Sequence, residues 1–161
     1  MFLLEDLPSE AILKTFAKKF PEMEVDTTMA CLKILKVASL LLRDLEKHFS
    51  EYGLSQARFL ALIILERENM KQQMPVEIAR KMGTTKKNTA RLLAFMEEDG
   101  LITIKPHEID GRATIVKITL KGSKRLNDVL PKYYKIMNSM MKNISEKSKS
   151  TLIQILNQIE T

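Results

Sequence analysis

The residues of this 161-residue chain best suited to chemistry are Thr85, Lys86, Lys87, Asn88 and Arg91, crowded at the start of one helical segment. They form no nucleophile–base pair and no metal-ligand set. An Asn amide pairs bidentately with adenine, and Arg or Lys with guanine, each worth about 1–3 kcal/mol of discrimination between bases. Hydroxyls, ammoniums and helix-end N–H groups hold phosphates. Further along, Lys105, His107, Asp110 and Arg112 gather on a polar turn. A carboxylate two residues before a cation can hold Arg112 and aim it into a narrow minor groove, which attracts it electrostatically. Both groups have the chemistry of reading a polyanionic duplex.

The charge distribution agrees. The formal net charge is +6, from 26 Lys+Arg against 20 Asp+Glu. Residues 80–125 hold eleven of the bases and five of the acids, so this segment carries the whole surplus and the rest is balanced. A surplus confined to one segment is the footprint of a polyanion-binding surface, whereas a solvated lysine-rich face is the bland alternative. The structure that the segment encodes decides between them.

Positioning these residues requires a helix, a turn, a second helix and a hairpin. Pro75 to Met82 reads as a short helix with proline first. Gly83-Thr84 makes a tight turn, and Thr85–Glu98 forms the second helix with Thr89, Leu92, Leu93 and Met96 facing inward. After Asp99-Gly100 the period changes to two. Leu101–Lys105 and Ile115–Thr119 read as strands joined by 106–114, a wing.

Upstream, Ile12, Leu13, Phe16, Ala17 and Phe20 form a helical stripe ended by Pro21, and 22–26 reads as a linker. Thr27–Tyr52 is a helix with Asp26 or Thr27 as its expected cap. One face carries Cys31, Leu35, Ala38, Leu42, Leu45 and Phe49, and another Ile34, Val37 and Leu41. A helix apolar on two sides is packed on two sides, and the second partner expected is another subunit. Gly53 closes it, and Ser55 caps a helix with the expected core Phe59, Leu60, Leu62, Ile63 and Leu65, followed by a polar loop, 66–73. Beyond Gly122 a helical pattern runs to Ile144, with a kink expected at Pro131, and Ser145 starts a last helix with Leu152, Ile155, Leu156 and Ile159. The expected fold is mostly α with a small β-hairpin wing. A winged helix-turn-helix domain (54–122) lies between N-terminal (1–53) and C-terminal (123–161) dimerisation helices.

The wing, Asp110-Gly-Arg112-Ala-Thr-Ile-Val116-Lys-Ile118-Thr119-Leu-Lys-Gly122, resembles the D-x-R-x-x-x-V-x-L-T-x-x-G signature of the MarR family of winged helix-turn-helix transcriptional regulators, with Ile118 standing for Leu. Leu54-Ser-Gln-Ala-Arg-Phe59-Leu-Ala-Leu62, Ile78-Ala79, Met82-Gly83 and Met96-Glu-Glu-Asp-Gly100-Leu-Ile also fall at family positions, so the resemblance spans residues 27–160. Phe59–Glu66, Lys87–Arg91 and Val129–Pro131 look most like its multidrug-efflux repressor branch. Phe95 departs from the family, which often carries a polar or basic residue there. The resemblance implies a cytoplasmic homodimer that binds a pseudo-palindromic double-stranded operator, a repressor released by a small lipophilic or phenolic effector. It also implies a ligand pocket near Cys31, Leu35, Arg58 and Leu60.

Several other residues invite a site. Cys31 falls at the level of the reactive cysteine of the family's peroxide-sensing branch, which makes a redox regulator an alternative. Its neighbours along the helix are apolar, which favours an inert, buried structural thiol. Tyr133, Tyr134, Met137, Met140 and Met141 could line a pliable pocket, although a methionine stripe at helical spacing reads first as core or dimer interface. His48 and His107 are far apart, without local Cys or carboxylate partners; surface positions, no metal and no cofactor are expected. The chain lacks G-x-x-x-x-G-K-[ST], G-x-S-x-G and H-E-x-x-H, and its five glycines do not cluster, so no enzyme is expected. It has no apolar run long enough to span a membrane, and its start lacks a basic n-region and long h-region. A helical protein-interaction module that does not bind DNA would explain the amphipathic helices, but not the coincidence of charge surplus, helix-turn-helix and wing.

Overall fold

A computed structural model describes residues 6–107 and 113–159. Tertiary contacts divide the chain into two compact units, Met1–Leu45 and Glu46–Thr161.

The first unit holds α1 (Glu10–Ala17) and most of α2 (Val25–Ser50). Ser9 caps α1, its hydroxyl accepting from the Ile12 N–H at 3.3 Å. The start of α2 corrects the expected cap. The helix begins at Val25, with Asp26 in its first turn and Thr27 Oγ1 donating to Glu24 Oε2 at 2.7 Å. An acid in the first turn still faces the positive end of the helix dipole. Among the described residues of this unit only Leu13, Ser39 and Leu45 are buried, and Phe16, Phe20, Ile34, Leu35 and Val37 are exposed.

The second unit begins in the last turns of α2. Gly53, at φ +66°, reverses the chain, and the Leu54 N–H donates back to Phe49 O at 3.0 Å. Ser55 then caps α3 (Gln56–Arg67) through the Arg58 N–H at 3.3 Å. This helix is the centre of the unit and packs against α4, α5, α6 and β3. Its buried side chains are Phe59, Ala61, Leu62, Ile64 and Leu65. Leu60 and Ile63 are only half-buried, contrary to the sequence reading, because contacts on several sides bury a small Ala61 that a hydrophobic stripe undervalues.

The segment read as a loop holds a further strand. A 3₁₀ turn (Asn69–Lys71) leads into β1 (Gln72–Gln73), which pairs antiparallel with β3. The sheet order is β1-β3-β2, with β2 at Ile102–Pro106 and β3 at Thr114–Ile118. The strap before β1 is tied down by carboxylates. Glu66 receives Lys71 and, at 2.7 Å, the Ser123 hydroxyl, while Glu68 receives Lys81. Burial pushes the Glu66 carboxyl up, but the Lys71 and Ser123 hydrogen bonds outweigh it and hold it below the usual range. Hydrogen bonding from Lys81 likewise lowers Glu68. A depressed carboxyl contributes stability that is complete above the unfolded value, about 4.3, and is lost as pH falls through the folded value. Urea midpoints should therefore drop below about pH 4.3, and Glu66→Gln should flatten that acid limb. An acid limb identical in the variant would remove Glu66 from this role.

α4 (Pro75–Lys81) and α5 (Lys86–Glu98) follow, then the β2–β3 hairpin and α6 (Leu120–Met140), which begins before Gly122 and continues through Pro131. Leu126 and Val129 of α6 are fully buried in this unit, and Tyr133 joins Phe49 and Phe59 in an aromatic cluster with centroids 4.4–6.3 Å apart. α7 (Glu146–Ile159), started by Ser145 accepting from the Ser148 N–H at 3.1 Å, buries no residue.

Candidate nucleic-acid interface

Thr85 makes the tip of α5 rigid. Its Oγ1 accepts from the Asn88 N–H at 3.2 Å, and its carbonyl accepts from the buried Thr89 hydroxyl at 3.1 Å. Thr85 is thus the N-cap rather than a member of the helix. Gly83, at φ +62°, provides the turn that sets α5 against α4. Thr89, Leu93 and Met96 anchor one face of α5, which leaves Lys86, Lys87, Asn88, Ala90 and Arg91 exposed on the other. Phe95 continues this outer face at 45% exposure, and the Arg91 guanidinium carbon lies 5.7 Å from its ring centroid. The aromatic residue that departs from the family pattern is therefore a shelf that restrains Arg91.

The wing is locked to the helices at its base. Thr119 Oγ1 donates to Gly100 O at 2.7 Å and Leu101 O at 3.1 Å, and accepts from the Gly122 N–H at 3.0 Å. One hydroxyl thus caps α6 and pins the turn after α5. Glu97, which the sequence reading passed over, accepts from the Ile104 N–H at 2.6 Å and joins α5 to the edge strand β2. Glu97→Ala should cost about 1 kcal/mol of stability. Urea unfolding measures it, and an unchanged midpoint would show that solvent replaces this contact at no cost. Lys105 and His107 stand at the described end of the hairpin, where the His107 N–H donates to Ala113 O at 2.8 Å. Asp110 and Arg112 lie outside the described residues.

The structure also sorts the cations. Arg80 pairs with Glu77 at 2.8 Å, Lys81 with Glu68, and Lys121 donates to Asp99 O at 2.6 Å. Arg125 donates to Tyr52 O. Among the described residues of the basic segment, Lys86, Lys87, Lys105, Lys117 and Lys124 keep ammoniums without such partners. Two of the five sit at the tip of α5 and two on the wing sheet. The surplus charge is therefore concentrated where a duplex would meet it.

The sequence model of the MarR family matches residues 54–114, the stretch from α3 to the start of β3. The transcriptional repressor MprA of Escherichia coli (strain K12) is 28% identical over 155 residues, covering 94% of this chain and 86% of that protein. Residues 54–114 thus match the MarR family, and over most of its length the chain is similar to transcriptional repressors. The transcriptional repressor YetL of Bacillus subtilis (strain 168) is 23% identical over 156 residues, covering 97% of this chain and 93% of its own length. The fold superposes with a TM-score of 0.80 on Sco3205, a MarR family transcriptional regulator from Streptomyces coelicolor, solved in complex with DNA. That match has 15% identity and covers 86% of this chain and 88% of that one.

The described part of the MarR signature has visible structural work. Val116 is fully buried under the sheet, Thr119 is the hydroxyl lock, and Gly122 lies against Leu101 O. The four residues suggested for the MarR ligand pocket fall in both compact units. In the first, Cys31 is exposed and Leu35 is 57% exposed, which corrects the expected buried thiol. Of the apolar neighbours that suggested burial, Leu35 is itself uncovered, while Leu45, further along the helix, is buried. In the second, Arg58 is held by Asp99 at 2.8 Å, and Leu60 lines a cleft with Ala57, Met82 and Leu92. His48 is also corrected. It is 1% exposed, and its Nε2 N–H donates to Val129 O at 2.9 Å, because it shares the helix face of Leu45 and Phe49. Among the described residues no group of His, Cys, Asp and Glu has the arrangement of a metal site.

Proposed function

We propose that this protein is a sequence-specific, DNA-binding transcriptional repressor acting as a homodimer. The observation that carries the reading is the tip of α5, where Lys86, Lys87, Asn88 and Arg91 are exposed on a helix whose other face is anchored in the core. In this reading the two α5 helices of a dimer enter successive major grooves of a pseudo-palindromic operator, about one helical turn apart. Thr85 positions the tip, while Lys105 and His107, with Asp110 and Arg112 of the wing, hold the flanking backbone and minor groove. Residues 54–122 read DNA, and the helices of 1–53 and 123–161 form the dimer. Ile12 and Phe16 of α1, and Leu152, Ile153, Ile155, Leu156 and Ile159 of α7, are the exposed apolar side chains available for it. A small lipophilic or phenolic effector would release the operator by changing the spacing of the two α5 helices.

Selection of bound fragments from random duplex DNA tests this reading. A recovered site with two-fold symmetry and salt-sensitive affinity is the expected result. Lys86→Gln should weaken binding to every sequence alike and reduce the salt slope by about one unit. Absence of salt-sensitive DNA binding would favour the interaction-module alternative.

A further inference from the structure

The wing side of α5 carries a cleft that its polar reading residues leave unused. Burial of Thr89, Leu93 and Met96 fixes the helix, so the directions of the other side chains follow at about 100° per residue. Lys87 and Arg91 stand near the middle of the outer face. Asn88 falls on the flank next to α3, where it lines a cleft with Gln56 and Ala57. Lys86 and Ala90 fall on the opposite flank, one turn apart. There they line a second cleft, of about 370 Å³, whose other walls are the start of α4 and the start of β3.

The described lining of this second cleft is mostly apolar: Met74, Pro75, Val76, Ala90 and Ala113 meet in it. Met74 is 37% and Val76 40% exposed, while Ile78 and Ala79 are the residues that bury α4 in the core. Single exposed apolar side chains are ordinary, but these converge on one concavity continuous with the outer face of α5. A DNA duplex offers two kinds of apolar surface. Deoxyribose edges are the same at every position, whereas the thymine 5-methyl projects into the major groove and carries sequence information. Lys86, on the same flank, supplies a cation for the phosphates of the strand that bears the methyl. Ala90 has the short side chain that keeps the floor of the cleft open, and a longer residue would fill it.

We infer that Ala90 is a specificity-determining residue, which with Val76 and Met74 receives the 5-methyl group of one thymine in each half of the operator. This rests on the DNA-binding reading and deepens it, adding a required base to the one that Arg91 reads. The two bases lie close together. Ala90 and Arg91 are consecutive in α5, and base pairs are about 3.4 Å apart, so the thymine falls within about two base pairs of the Arg91 position. The discrimination comes from burying one methyl group and involves no ion pair, so it is independent of salt while the overall affinity is not.

The test replaces each thymine of the selected operator in turn by deoxyuridine, which removes the methyl and nothing else, and measures binding by the full chain. At one symmetry-related pair of thymines, uridine should weaken binding about fourfold per half-site, equivalent to ~0.8 kcal/mol for one buried methyl. That ratio should be equal at low and high salt. It should fall towards one in Ala90→Gly and in Val76→Thr, the second of which keeps the shape of the wall and makes it polar. Indifference to uridine at every thymine, or an undiminished effect in both variants, would overturn the contact. So would a sensitive thymine lying more than about two base pairs from the Arg91-dependent position. Binding disturbed by a 2′-O-methyl sugar and not by uridine would put deoxyribose in the cleft, and overturns the contact as well. A chain that selects no operator overturns the DNA-binding reading and this contact with it, whereas specific binding without a uridine effect overturns the contact alone.

Discussion

Gly122→Ala is expected to cost at least ~3 kcal/mol of folding stability, the upper range for forcing extra volume into a packed site. A Cβ at this position would stand 2.1 Å from Leu101 O and 2.8 Å from Ile118 Cγ1. The first of these is backbone, fixed by the Thr119 N–H at 3.1 Å and the Thr119 hydroxyl at 3.1 Å, so it cannot turn aside as a side chain would. Relief requires α6 to move away from the β2–β3 base, which breaks the lock that orients the wing. Gly83→Ala is the internal control. Its φ of +62° disfavours a side chain, but nothing lies within 4 Å of the new methyl. That variant should lose only about 1–2 kcal/mol. Urea unfolding of both checks the contrast, and similar losses would mean that backbone conformation, not the close approach, explains Gly122.

Arg91→Ala should lower affinity for the selected operator by about 1–3 kcal/mol, roughly tenfold to a hundredfold. Arg91 is on the exposed face of α5, one turn beyond Lys87, and leans on Phe95. Its loss should act on the preferred sequence more than on random duplex, because base contacts specify while phosphate contacts position. Phe95→Ala should produce a smaller change, about 0.5–1 kcal/mol, by freeing the guanidinium. Titration of operator and random DNA with both variants separates the effects. Equal weakening on both duplexes would make Arg91 a phosphate contact, and unchanged operator affinity would remove it from the interface.

Local rules carried much of the architecture. Proline first in α4, the Gly83 turn, Ser55 as a cap and the switch to period two in the wing are set within a few residues, so each was legible in the sequence. The α5 face was legible for the same reason, since Thr89, Leu93 and Met96 at helical spacing leave Lys86, Lys87 and Arg91 outside. The strand β1 was not. Gln72-Gln73 has neither apolar alternation nor strand propensity, and exists because β3 offers a free edge. Glu97 was overlooked because its partner, the Ile104 N–H, lies on a strand edge that only packing brings to α5.

The sequence by itself therefore determined the resemblance to the MarR family, the order of the helices and wing, and the segment holding the surplus charge. These follow from residue type and short-range spacing. Only the tertiary structure decided which of those charges are neutralised, that His48 is buried and Cys31 exposed, and that Lys105 and Lys117 share a concave face with Gln72 and Thr103. Burial, ion pairing and strand register depend on partners distant in the chain, and no local pattern encodes which of them will meet.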